Sequence, residues 1–94
     1  MGNTPQSLEN LRQEIDAADQ ALVELLARRF RIVDQVLAVK QEKGLPALIP
    51  ERVEVVVAQV RKLAQVHSLS PDIAEKLWRV LIAETILYEE KHLK

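Results

Sequence analysis

Three cations within one stretch of this 94-residue chain are the side chains best placed to do chemistry: Arg12, Arg29 and Lys40. All three fall in Leu8–Lys43, a run without Gly or Pro. Apolar residues recur along it every three or four positions: Leu8, Leu11, Ile15, Ala18, Leu22, Leu25, then Arg29, then Ile32, Val36 and Val39. Arg29 stands where that pattern asks for a Leu. A guanidinium in a packing seam is costly unless something anionic meets it. Two readings follow: an Arg that snorkels outward or pairs with a structural carboxylate, or an anion site inside a helical bundle. Lys40 comes eleven residues after Arg29, three helical turns, and so projects from nearly the same face. Arg12 precedes Arg29 by seventeen residues, roughly 25 Å along a helix axis, so one straight helix keeps the two apart. Two antiparallel copies crossing near residues 20 and 21 bring them together, because 12 and 29 are almost symmetric about that point. The result is two equivalent cationic pockets, each lined by both chains.

The element that carries these cations is expected to be a single long helix over 8–43. Ser7 is its N-cap and Gly44 its left-handed C-terminal stop. A rod of that length reaches about 54 Å, whereas a compact chain of this size is roughly 30 Å across. The overshoot carries Leu, Ile and Val, and a second copy of the chain is the simplest cover. The expectation is a homodimer. Pro50 and Glu51 open a second helix, about 50–67, with Val53, Val56, Val57, Val60, Leu63 and Ala64 as its buried stripe. Ser70-Pro71-Asp72 restarts the chain into a third, about 71–91. This third helix is expected to bury Ile73, Leu77, Leu81 and Tyr88, with Trp78, Ile82, Thr85 and Glu89 as a stripe beside them. Residues 1–7 are polar and expected to fray. The fold class is all-α, with one very long helix and two shorter ones in a single domain.

Composition narrows what such a bundle does. A net charge of −1 argues against a nucleic-acid or anionic-membrane partner, so anion binding must come from local clusters. The chain has no Cys, which excludes disulfides and thiol chemistry. No apolar run reaches membrane-spanning length, and no basic-then-apolar leader opens the chain; the cytoplasm is the expected location. Asp16 with Asp19, and Glu51 with Glu54, have helical spacing, but no His joins them at ligand spacing. No metal and no cofactor are expected. No Ser-His-Asp set or Gly-rich phosphate loop can be assembled, and His67 and His92 read as helix-end residues.

The run Leu11-Arg12-Gln13-Glu14-Ile15-Asp16-Ala17-Ala18-Asp19, followed by Leu22, Leu25-Leu26, Arg29 and Lys40, resembles the all-helical chorismate mutases. Pro50-Glu51-Arg52-Val53 looks most like the related isochorismate pyruvate-lyase branch. The likeness covers about residues 8–92. It implies an intertwined dimer of three-helix chains whose long first helices cross. It also implies that Arg12 of the partner chain and Arg29 clamp the two carboxylates of a small dicarboxylate substrate, a task suited to guanidinium forks. Lys40 would then donate to the ether oxygen that joins the enolpyruvyl group to the ring. Arg52 would stand near the pocket, Thr85 where relatives carry a small hydroxyl residue, and Glu89 where many carry Gln.

Such a reaction is an intramolecular pericyclic rearrangement that needs no nucleophile, metal or obligatory acid or base. The protein must hold a compact conformer and stabilise charge growing on the ether oxygen. Two departures from the resemblance matter. Glu89 donates to an ether oxygen only when protonated. Burial favours its neutral form and nearby cations its charged one; the expectation adopted is a neutral acid, with turnover falling as pH rises. Ile49 and Val53 occupy positions where typical mutases have acidic residues near the ring hydroxyl, which makes isochorismate a competing substrate. The reading is therefore a chorismate mutase yielding prephenate. Its alternatives are a lyase splitting isochorismate into salicylate and pyruvate, and a non-catalytic dimeric helical module.

Overall fold

A computed structural model describes residues 7–93. Three helices follow in order: α1, Leu8–Lys43; α2, Pro50–Val66; and α3, Pro71–His92. No strand occurs among the described residues. The expected fraying of the N-terminus lies, but for Ser7, outside them. The chain divides into two compact units, residues 1–32 and 33–94, with the division inside α1.

In the first unit, the Ser7 hydroxyl accepts the Asn10 N–H at 3.1 Å, satisfying one of the open donors of the first turn. From Leu8 onward the unit is helical throughout. Its seam is exposed in the single chain: Leu8 by 63%, Ile15 by 58% and Leu25 by 57%. Among the described residues of this unit, only Arg29 and Phe30 are half-buried.

In the second unit, the buried side chains of α1 are Val33 and Leu37, whereas Ile32, Val36 and Val39 of the expected seam are exposed in the single chain. Val33, Leu37 and Lys40 follow i, i+4, i+7 spacing and define one face of the helix. A positive φ of 67° at Gly44 ends α1. The Gly44 N–H reaches the Gln41 carbonyl at 3.4 Å and the Leu45 N–H reaches that of Lys40 at 2.8 Å, a Schellman turn. Ser68 repeats the device without a glycine at the end of α2, with φ 58°. Its N–H bonds Gln65 at 3.3 Å and that of Leu69 bonds Ala64 at 2.8 Å. Ser70 then caps α3, accepting from the Ile73 N–H at 3.3 Å.

The core between α2 and α3 consists of Val60, Ala64 and Ala74, with Val56 and Trp78 packed against it. Ala74 lets the two helices approach near their connecting turn. This reverses the expectation for α3. Its buried side is Ala74, Ile82, Thr85 and Glu89, with Trp78 half-buried, whereas Ile73 and Leu77 are 53% and 59% exposed. A residue one position along is turned by about 100°, so packing Ala74 against Val60 turns Ile73 outward. Leu63 is likewise exposed, by 58%. On the outside, Arg61 donates to Asp72 at 3.0 Å and Glu75 at 2.9 Å, and Arg79 to Glu75 at 2.7 Å and Glu54 at 3.2 Å. The pairs of Arg61 with Asp72 and Glu75, and of Arg79 with Glu54, tie α2 to α3, while Arg79 and Glu75 pair within α3. The two arginines hold the Glu75 carboxyl below the usual carboxylate range, Arg79 contributing most.

Candidate active site

Two ionisable side chains meet where the end of α1 faces the end of α3. Lys40 Nζ lies 2.6 Å from Glu89 Oε1, with side-chain exposures of 13% and 7%. The ammonium also donates to the backbone carbonyl of Ala47 at 2.8 Å. A withdrawn ammonium requires such acceptors, since an unpaired one would cost several kcal/mol. Among the described residues no buried side-chain nitrogen or oxygen lacks a partner.

Local chain geometry explains how Lys40 is held. The Schellman turn fastens the Lys40 carbonyl to Leu45, and Gly44 and Pro46 bend the chain back toward the same residue. A Cβ on Gly44 would meet nothing within 4 Å, so its positive φ alone calls for glycine. Ile49 then caps α2 in an extended conformation, its carbonyl accepting the N–H groups of Arg52 at 3.0 Å and Val53 at 3.2 Å. Ile49 and Val53 are half-buried, whereas Arg52 is exposed. On α3, Ile82, Thr85 and Glu89 occupy one buried face at helical spacing. The Thr85 hydroxyl donates to the Leu81 carbonyl at 2.7 Å, one turn earlier.

Among the expected site residues, the structure joins Lys40 to Glu89 directly and places Thr85 one turn before Glu89. Ile49, Arg52 and Val53 gather at the start of α2 within the same unit. Arg12, exposed, and Arg29, half-buried, belong to the first unit, seventeen residues apart on one helix. One chain does not bring them together. The Ala47 carbonyl was not foreseen, since a backbone acceptor has no residue signature. The one signal that could have suggested it is Gly44, four residues after Lys40 and followed by a proline in the same loop, which turns the chain back there. Tyr88, expected in the core, is half-buried and donates its hydroxyl to Asp34 at 2.5 Å, which pushes its own ionisation upward.

Chemically, the arrangement offers a sheltered hydrogen-bond donor of fixed position, a buried carboxyl beside it and an apolar wall. Such a site suits binding and polarising an oxygen of a bound molecule.

Comparison with known proteins gives this geometry a context. Residues 11–90 match the model of the family described as chorismate mutase type II. The T-protein of Enterobacter agglomerans is 39% identical over 82 residues, 87% of this chain and 22% of that protein. The chorismate mutase of Methanocaldococcus jannaschii is 27% identical over 89 residues, 95% of this chain and 90% of that one. A 4-amino-4-deoxychorismate mutase from Streptomyces venezuelae is 30% identical over 83 residues, covering 88% and 81%. This chain thus spans less than a quarter of the T-proteins it matches.

Proposed function

This chain belongs to the type II chorismate mutase family, and we propose that it converts chorismate to prephenate. In that rearrangement the ether C–O bond breaks while a C–C bond forms between the enolpyruvyl methylene and the ring, with no group gained or lost. The observation that carries the reading within the site is the sheltered Lys40 ammonium, which donates to Glu89 and Ala47. An ammonium has three protons, so a third remains to meet an ether oxygen as negative charge develops there. Placed in advance and shielded from water, such a donor stabilises the transition state more than the ground state.

Arg29 and the partner's Arg12 would hold the substrate's two carboxylates, and Arg52 would add positive charge at the mouth of the pocket. This requires a homodimer with antiparallel first helices. The exposed seam of α1 supports it, since large aliphatic side chains such as Leu22 and Leu25 are more than half exposed and need a cover. The partner is then a second copy of the chain, and the ligand is the small dicarboxylate.

Glu89 has a second role in this reading. It accepts from Lys40 in the ligand-free chain, so it donates to the ether oxygen only by taking up a proton when substrate arrives. Thr85 lines the same face of α3. The half-buried Ile49 and Val53 favour one further reading, lyase action on isochorismate to give salicylate and pyruvate, because neither offers a polar partner to the hydroxyl of chorismate. The same apolar pair gives no anionic partner to the amino group of 4-amino-4-deoxychorismate. Incubating the purified chain with chorismate and with isochorismate, and identifying the products by chromatography, decides the matter. Prephenate from chorismate is expected. Salicylate from isochorismate alone would transfer the site to the lyase, and no product from either would leave a non-catalytic helical module.

A further inference from the structure

The loop from Gly44 to Ile49 touches Lys40 at both of its ends of chemical interest. The Leu45 N–H binds the Lys40 carbonyl at 2.8 Å, and the Ala47 carbonyl binds Lys40 Nζ at 2.8 Å. The far end of the loop is fixed as well, because the Ile49 carbonyl accepts the first two N–H groups of α2 that reach it. Between these anchors stands Pro46, which narrows the backbone freedom of the segment. A flexible lysine side chain has much rotamer freedom, and Glu89 alone gives it one tether. Two acceptors in different directions restrict the ammonium to one place and aim its remaining proton.

We propose that the Ala47 backbone carbonyl, held by the Gly44–Ile49 turn, is a positioning group that aims the Lys40 ammonium at the substrate's ether oxygen. The proposal rests on the reading that Lys40 donates to that oxygen. Ala47 does not touch the substrate in this scheme; it acts through Lys40. Its contribution therefore falls on the reacting geometry and not on carboxylate binding, so it belongs in kcat and leaves KM alone.

Replacing Leu48 by its α-hydroxy acid turns the Ala47 carbonyl into an ester carbonyl, a weaker acceptor. It deletes only the Leu48 N–H, which makes no hydrogen bond among the described residues. Chorismate turnover by this chain is compared with the unmodified chain and with Pro46→Gly, which keeps the carbonyl but loosens the turn. The expected result is a fall in kcat of about threefold or more for both, with KM within about twofold and an unchanged circular dichroism spectrum. Unchanged kcat in the ester chain, or a raised KM at constant kcat, overturns the proposal. Lys40→Ala separates the two layers. If Lys40→Ala abolishes turnover while the ester chain is fully active, the positioning role alone fails. If Lys40→Ala itself stays fully active, the donor reading fails with it.

Discussion

The pairing of Lys40 with Glu89 sets how the site answers to substitution. Removing one partner of a buried ion pair leaves the other charge stranded, at a cost of about 3–5 kcal/mol. Glu89→Gln lessens that cost, because the amide oxygen still accepts from Lys40 while the amide N–H donates at any pH. If Glu89 works as a neutral acid, wild-type turnover falls from pH 5 to pH 8 and Glu89→Gln exceeds it at the upper end. A flat wild-type profile, or a Gln variant no better at pH 8, would exclude that role. Arg29 is the second residue whose loss is informative. If it clamps a substrate carboxylate, Arg29→Ala lowers kcat/KM by about a hundredfold or more, equivalent to roughly 3 kcal/mol of a desolvated charge contact. A loss of only a few-fold would remove Arg29 from the site.

Helix ends and interhelical charge pairs decide the stability of the elements that carry these residues. Ser68 holds a left-handed backbone that costs an L-residue about 1 kcal/mol. Ser68→Gly relieves it and is expected to raise the thermal midpoint by a few degrees, with activity unchanged; a lower midpoint would show that the serine side chain is needed there. Glu75, held below its ordinary value of 4.5 by Arg79 and Arg61, is bound more tightly as a carboxylate in the folded chain than in the unfolded one. Its share of stability is thus complete above the ordinary value and lost as pH falls through the lower, folded one. Glu75→Gln should flatten the acid limb of a melting-temperature profile, and an unaltered limb would contradict the assignment. The helix boundaries were readable from Ser7, Gly44, Pro50 and the Ser70-Pro71 pair, because caps and breakers act locally. Which stripe of α3 turns inward was not. Ile73, Leu77 and Leu81 read as the more apolar face, but the close contact at Ala74 fixes the rotation of the helix, and alanine carries little weight in a hydrophobic pattern. The second stripe, with the polar Thr85 and Glu89, is consequently the buried one, and the candidacy of these two residues for the site comes from the family resemblance.

For the assembled molecule, the proposal depends on two chains sharing each pocket. Arg12 and Arg29 were legible as an odd pair because Arg29 interrupts an apolar repeat. Their separation along one helix turns that oddity into a statement about assembly. The measurement that tests it most directly is complementation between variants. Arg12→Ala and Arg29→Ala chains are each expected to be nearly inactive alone, since both pockets of either homodimer lack one clamp. When the two are co-expressed, each mixed dimer has one pocket with both substitutions and one with neither, so activity should return to about a quarter of the wild-type level. No recovery in purified mixed dimers, or full activity in either variant alone, would contradict a site built from both protomers.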